Sequence, residues 1–104
     1  MANTADKPVS SPSVRRRMHI LYSGRVQGVG FRYAVKTLAT GFEVVGTVRN
    51  LPDGRVELAA EGMNDELEAF RAAIREGGLA ANIRDEAVQW SEARGGFNGF
   101  VIER

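Results

Sequence analysis

The spacing of apolar residues divides the chain into short strands and two helices. The run MHILYS at residues 18–23 is apolar on both faces and rich in strand formers, which predicts a central strand. After a glycine-rich stretch, apolar side chains recur at helical spacing, and the helix that they predict should end near Gly41. The apolar positions of this helix are Phe31, Val35, Leu38 and Phe42.

A β-hairpin is predicted next. The runs VVGTVRN (residues 44–50) and RVELAAEG (residues 55–62) have strand character, and the second alternates apolar with charged positions. Between them, LPDG supplies Pro, Asp and Gly in the order that a tight turn favours. The two strands should therefore pair with each other, with one face of the second strand covered.

The remainder of the chain predicts one more helix and two more strands. Asn64 is expected to cap a helix that stops at Gly77, and strands follow over residues 82–90 and in the closing GFVIER. The whole order is β-α-β-β-α-β with a short fifth strand. That order predicts an α+β, ferredoxin-like sandwich, in which two helices cover one face of a mostly antiparallel sheet.

Composition narrows the classes of function. The chain has 104 residues and a net charge of +1, which fits one domain and argues against a dedicated nucleic-acid or membrane binder. It contains no cysteine and one histidine, His19. A disulfide framework and a thiolate site are therefore excluded, and a zinc site is disfavoured. We expect chemistry without a metal or another cofactor.

The first residues differ in composition from the rest. Residues 1–14 are short of large apolar side chains and rich in Ser, Pro, Ala and Asn, which predicts a disordered tail ahead of a domain over residues 15–104. The tail lacks the apolar segment of a secretory signal, and no apolar run reaches membrane-spanning length. We expect a cytoplasmic monomer without nucleic-acid or membrane partners.

The stretch SGRVQGVGFR, between the first strand and the first helix, is the main candidate for chemistry. Its glycines let successive main-chain N–H groups converge, and the helix N-terminus adds partial positive charge, which together favour a phosphate. Arg32, in the first helical turn, can bind two phosphate oxygens at once. From this pattern alone, a simple sharp turn with Arg32 in a surface ion pair stays open as an alternative.

Two common phosphate loops do not fit this stretch. The nucleoside-triphosphate loop needs a Gly-Lys pair, which the chain lacks, and the dinucleotide fingerprint needs a glycine where Tyr33 stands. The string GRVQGVGFR is instead followed at close distance by GTVRNLPDGRVE. In these motifs the chain resembles the acylphosphatase family, whose pattern is a G-R-V-Q-G-V-x-F-R loop, a G-x-V-x-N strand end, a D/K-G turn and a V-E strand.

The resemblance extends from about Met18 to the C-terminus. It implies hydrolysis of small acyl phosphates to a carboxylate and inorganic phosphate, with no metal and no covalent intermediate. It also implies that Arg32 and Asn50 are the catalytic residues, and that the main chain from Gly24 to Gly30 forms a phosphate cradle. The expected phosphate-binding residues are Gly24, Arg25, Val26, Gln27, Gly28, Val29, Gly30 and Arg32.

Two departures from the family pattern lie outside the catalytic pair. Thr47 stands where the family often has an aromatic residue, and GGLAAN at residues 77–82 replaces a Gly-Pro turn. These departures concern packing and stability more than activity.

The implied reaction suits a site without acid-base side chains. The leaving carboxylate has a conjugate acid with a pKa of about 4, so it needs no proton from the enzyme. Phosphoryl transfer mainly requires positioning and stabilisation of charge on the equatorial oxygens, which backbone amides and one arginine can provide. Asn50 is expected to orient the attacking water.

Other readings of the same residues stay open. A non-catalytic phosphate- or acyl-phosphate-binding domain would share the loop, and an RNA-recognition module would share the topology. RGGFNGFVIER at residues 94–104 is similar to the aromatic strand of such modules, but its spacing is off by an inserted residue at two points. Asn50 has a common alternative role, since an asparagine at the start of a hairpin often satisfies the turn.

Overall fold

The predicted order of elements is confirmed. In the computed structural model, which describes residues 14–104, the chain forms five strands, two α-helices and a short 3₁₀ helix. Most of the predicted tail, residues 1–13, lies outside the described residues. The elements are β1 (Arg15–Gly24), α1 (Phe31–Ala39), β2 (Val44–Asn50), β3 (Val56–Met63), α2 (Asn64–Arg75), the 3₁₀ helix (Ala80–Asn82), β4 (Ile83–Glu92) and β5 (Phe100–Glu103).

The strands form one sheet in the order β4-β1-β3-β2-β5. β1 pairs antiparallel with β3 and β4, β2 pairs antiparallel with β3, and β5 joins β2 in parallel. This is the ferredoxin-like arrangement with a mostly antiparallel sheet. It places the ends of β1 and β2 on either side of the start of β3, so the loop after β1 and the turn after β2 leave the same end of the sheet.

The core lies between the sheet and the helices. Side chains alternate along β1, and those that face the helices stand opposite apolar partners of β3 in the register. Phe70 of α2 packs between two other rings, 5.8 Å from Phe42 and 5.6 Å from Phe100 between centroids. The residues with no exposed surface include Met18, Ile20, Tyr22, Val48, Val56, Leu58, Leu67 and Phe70.

The expected cap at Asn64 is wrong. Helix α2 begins at Asn64, its N-cap is Met63 in an extended conformation, and no side chain of the described residues caps the helix. The reason is that β3 runs directly into α2: Met63 is still paired with Arg15 in the sheet. Asn64 is therefore already helical, and a capping side chain has to belong to the preceding extended residue.

The sheet face opposite the helices carries a buried carboxylate. Glu61 of the central strand β3 is 1% exposed and pairs with Arg17 of β1 at 3.0 Å. It also accepts hydrogen bonds from the N–H groups of Arg94 at 2.8 Å and Gly95 at 3.0 Å. These two residues belong to the connection from β4 to β5, residues 93–99, which passes from one edge of the sheet to the other. Glu61 thus holds this connection against the sheet.

Glu61 should contribute a large part of the stability of this face. Glu61→Ala leaves a nearly buried guanidinium and two main-chain N–H groups without their acceptor, and we expect a loss of about 3 kcal/mol in the free energy of unfolding. Urea unfolding at pH 7 measures it, with the exposed Glu92→Ala as the control, expected to change stability by less than about 0.5 kcal/mol.

The stability difference between wild type and Glu61→Ala should depend on pH. Burial by itself raises the pKa of Glu61, but the two N–H groups and the Arg17 guanidinium together bring it below its ordinary value. The stabilisation is therefore fully present above the unfolded-state pKa, about 4.3, and is lost as the pH falls through the lower folded-state pKa. A stability difference between wild type and Glu61→Ala that stays constant from pH 7 to pH 3 would contradict this assignment.

Candidate active site

The connection between β1 and α1 forms a glycine loop, residues 24–30, with an unusual backbone. Gly24, Gly28 and Gly30 have φ values of 124°, 78° and 84°. A Cβ at Gly28 or Gly30 would meet no atom within 4 Å, so the positive φ, and not lack of space, requires glycine there. Gly30 is also the N-cap of α1 and provides no side chain to cap it, which leaves the positive end of the helix open.

The glycine loop carries a row of unused main-chain donors. Within residues 14–104, the N–H groups of residues 26–30 donate to no other protein group. Unpaired N–H groups that follow one another through positive-φ residues make a concave site for an anion, and the adjoining helix N-terminus adds to the attraction. The N–H of Arg25 is different, since it donates to the carbonyl oxygen of Asn82 at 2.9 Å.

Gln27 fastens the glycine loop to the β2–β3 turn. Its Nε2 donates to the carbonyl oxygens of Leu51 at 2.8 Å and Arg55 at 2.9 Å. The preceding residue, Val26, is 1% exposed and packs into the core. The loop is therefore held beside the end of β2, where Asn50 lies.

Arg32 stands at the second position of α1 and is half-buried. It lines a cleft of about 140 Å³ together with Gly28 and Gly30 of the glycine loop and Ile102 of β5. No carboxylate of the described residues lies within ion-pair distance of its guanidinium. The alternative role in a surface ion pair is thus not realised within this part of the chain.

Asn50 ends β2 on the helix side of the sheet, opposite the buried Val56. Its Oδ1 is buried and has no hydrogen-bond partner among residues 14–104. The residue two before it, Val48, pairs with Ile102 in the parallel register, and Ile102 lines the cleft of Arg32. The strand pairing therefore directs Asn50 and the cleft toward the same side of the sheet.

The turn after Asn50 does not use its side-chain oxygen. The N–H of Leu51 donates to the carbonyl of Arg55 at 2.8 Å, and the N–H of Gly54 donates back to Leu51 at 3.1 Å. Asp53 accepts from the N–H of Arg55 at 3.1 Å and pairs with its guanidinium. The role of a turn-satisfying asparagine is thus carried by other groups, and a buried acceptor is left without a protein partner.

Other charged residues near the hairpin belong to the opposite face. Arg49 and His19 both contact Glu57, at 2.6 Å and 2.8 Å, on the face away from the helices. The hydrogen bond with His19, aided by the one from Arg49, lowers the pKa of Glu57, although partial burial opposes it. These three residues form a separate cluster. Arg25 is exposed in the glycine loop.

Tyr22, near the end of β1 and two residues before the glycine loop, is a buried aromatic residue. Tyr22 has no exposed surface, and its ring packs edge-on against Phe31 with centroids 5.1 Å apart. Burial, reinforced by the Glu86 carboxylate, raises the pKa of Tyr22 above its ordinary value. The phenol therefore stays neutral and brings no negative charge next to the glycine loop.

The aromatic residues near the C-terminus do not form a base-stacking surface. An RNA-recognition sheet needs aromatic rings exposed together on one face. Phe100 instead faces the helices and packs against Phe70, while Phe97 lies under the Arg17 guanidinium at 5.0 Å on the other face. The RNA-binding alternative gains no support from this arrangement.

Comparison with known proteins decides the family. The family model described as Acylphosphatase matches residues 18–102. The chain belongs to the acylphosphatase family. The acylphosphatase of Trichormus variabilis is 43% identical over 98 residues, covering 93% of this chain and 96% of the relative. The acylphosphatase of Methanospirillum hungatei is 46% identical over 92 residues, covering 86% and 98%.

A solved structure supports the same assignment. The crystal structure of acylphosphatase from Bacillus subtilis matches with a TM-score of 0.79 at 38% identity, covering 86% of this chain and 99% of that one. The family inferred from the loop and hairpin motifs is therefore confirmed, and with it the enzyme class, an acylphosphatase that acts on small acyl phosphates. No helix formed by residues 14–104 is both long and apolar enough to cross a membrane.

Asn82 is a residue of this acylphosphatase that the sequence does not single out. Its side-chain Nδ2 donates to the carbonyl oxygen of Arg25 in the glycine loop at 3.0 Å. The only available signal was the departure GGLAAN from the Gly-Pro turn of the family, of which Asn82 is the last residue.

Gly24 and Gly28 should differ in how well they tolerate a side chain. A Cβ at Gly24 would overlap the carbonyl oxygen of Asn82 and the amide nitrogen of Arg84, both main-chain atoms, and its φ is 124°. Gly28→Ala meets no atom, so only the positive φ opposes it, at a cost of roughly 1–2 kcal/mol. We expect Gly24→Ala to cost at least twice as much in urea unfolding. Equal losses for both variants would mean that residues 82–84 do not pack tightly on Gly24.

Proposed function

We propose that this acylphosphatase binds the substrate phosphate with the main-chain N–H groups of residues 26–30 and the guanidinium of Arg32. The side-chain oxygen of Asn50 then orients a water molecule for in-line attack on phosphorus. The observation that carries this proposal is the buried Oδ1 of Asn50, which has no partner among residues 14–104 although its neighbours are paired. A buried acceptor without a partner is costly in a structural role and useful where a water is to be held.

The chemistry balances without an acid or base from the enzyme. The water oxygen forms a bond to phosphorus while the bond from phosphorus to the carboxyl oxygen breaks, and the carboxylate leaves with its electron pair. A neutral amide cannot take the proton of the water, so we assign that proton to a phosphate oxygen of the substrate. Charge that builds up on the equatorial oxygens is stabilised by the loop N–H groups and Arg32, which are held in place beforehand.

The surroundings of the site complete the proposal. Arg25, exposed in the loop, adds long-range attraction for the anionic substrate.

We also propose that residues 15–104 form the catalytic domain, and that the enzyme works in the cytoplasm as a monomer without a metal or nucleic acid. Support for the domain boundary comes from β1, which begins at Arg15, and from the family match to residue 102.

Removal of the Arg32 guanidinium should abolish most of the activity. Arg32→Ala loses charge stabilisation in the transition state as well as phosphate binding, and we expect kcat/KM for benzoyl phosphate to fall by roughly 10²–10³-fold or more. Arg32→Lys should recover little, because a point charge lacks the two-pronged geometry. The assay contains EDTA, so that the same measurement tests metal independence. Arg75→Ala, at an exposed arginine of α2, is the matched control and should keep full activity.

Asn50→Ala should separate turnover from binding. Because Asn50 is assigned to the water and not to the phosphate, we expect kcat to fall by roughly 10²-fold while the inhibition constant of inorganic phosphate stays within about threefold of wild type. Steady-state kinetics with phosphate as a product inhibitor measures both. If Asn50→Ala weakened phosphate inhibition as strongly as it lowered kcat, Asn50 would belong to the phosphate cradle instead.

A further inference from the structure

Residues 82–84, which lead from the 3₁₀ helix into β4, are in direct contact with the glycine loop. The β1–β4 register shifts between Ser23 and Gly24, so that Gly24 stands opposite Ile83. The backbone of Gly24 packs so closely on this segment that a Cβ would overlap it. The start of the glycine loop thus packs against residues 82–84, on the side opposite the β2–β3 turn.

Asn82 binds both main-chain groups of Arg25. Its carbonyl oxygen accepts from the N–H of Arg25 at 2.9 Å, and its side-chain Nδ2 donates to the carbonyl oxygen of Arg25 at 3.0 Å. The first bond uses only the backbone of Asn82 and survives substitution. The second bond depends on the side-chain amide.

The second bond has a consequence for the next residue. The carbonyl of Arg25 and the N–H of Val26 belong to one planar trans peptide unit, in which they point in opposite directions. A carbonyl held toward Asn82 therefore turns the N–H of Val26 away from Asn82. That N–H is the first of the unused donors of the loop.

We infer that Asn82 is a positioning residue, which aims the N–H of Val26 at the substrate phosphate through its bond to the Arg25 carbonyl. The inference rests on the proposed function, because it concerns the same phosphate cradle. Asn82 is suited to this role because its own backbone is held in place. Its N–H donates to Leu79 at 3.0 Å, and both Leu79 and Ile83 pack against the core.

The glycine loop needs such support from outside. Three positive-φ glycines within seven residues leave the backbone with much conformational freedom, and Gln27 restrains only the side nearest the hairpin. Val26 packs into the core, but nothing else in residues 14–104 binds the Arg25 carbonyl, so without the Asn82 amide no bond fixes the direction of the peptide unit between Arg25 and Val26. A displacement of about 1 Å in a catalytic group can cost up to roughly 10²-fold in rate.

Three substitutions at this position separate positioning from stability. Asn82→Ala removes the donor, Asn82→Asp keeps the size but cannot donate and adds a negative charge, and Asn82→Gln keeps a donor on a longer side chain. We expect kcat/KM for benzoyl phosphate to fall about tenfold in the first two, with a similar rise in the inhibition constant of phosphate and a partial recovery in Asn82→Gln. Asn98→Ala, at an exposed asparagine of the β4–β5 connection, is the matched control and should match wild type.

A readout at the level of single amides tests the direction of the N–H. In ¹⁵N-labelled protein titrated with inorganic phosphate, the amide signals of Val26, Gly28 and Gly30 should all shift in wild type. In Asn82→Ala the Val26 response should be lost or strongly reduced, while those of the two glycines persist. The melting temperature should change by only a few degrees, since the side chain is half-exposed.

The outcomes distinguish this inference from the function on which it rests. If wild type neither hydrolyses benzoyl phosphate nor responds to phosphate, the proposed function is wrong. If wild type does both and Asn82→Ala stays within twofold of it with an unchanged Val26 response, only the role of Asn82 is overturned. If Asn82→Ala does not fold, the amide responses of Asn82→Asp decide: a loss confined to Val26 would support the role, and an equal loss at Val26, Gly28 and Gly30, as an added negative charge alone would give, would overturn it.

Discussion

The proposed phosphate cradle depends on a row of main-chain N–H groups that have no acceptor within residues 14–104. These are the amides of residues 26–30, and the positive φ of Gly28 and Gly30 lets successive N–H groups converge, which favours an anion from outside the chain. Arg32 is the one side chain that we assign to the phosphate directly. Other side chains hold the backbone of the loop in place, through Gln27 on one side and Asn82 on the other.

The fold explains why the glycine loop lies beside the end of β2. β1 and β2 are both neighbours of β3 and run antiparallel to it, so their C-terminal ends leave the sheet at the same end. The glycine loop follows the first strand, and Asn50 ends the second. The parallel strand β5 then adds Ile102 beside the cleft of Arg32. A ferredoxin-like sheet thus brings a loop and a strand end together that are far apart in the chain.

The sequence predicts the parts of this structure that local pattern determines. The hairpin, both helices and the order of elements along the chain follow from apolar spacing and turn residues, and the nine-residue loop motif identifies the family. The cap at Asn64 was predicted wrongly because the sheet pairing of Met63 carries the extended backbone up to the helix. Glu61 and Asn82 were not found because their partners are distant: Asn82 and Arg25 are 57 positions apart. Such contacts exist only once the topology has brought the strands together.

The composition of the cleft also bears on how such an enzyme could be inhibited. Its walls are formed by Val26, Gly28, Gly30, Phe31, Arg32, Tyr33 and Ile102, with no thiol, amine or aliphatic hydroxyl among these side chains. Reagents that inactivate hydrolases by capturing a serine, threonine, cysteine or lysine side chain would find no such group in this wall. On the proposed mechanism, a compound designed against this cleft would act by shape and by negative charge, as a reversible mimic of the trigonal bipyramid at phosphorus.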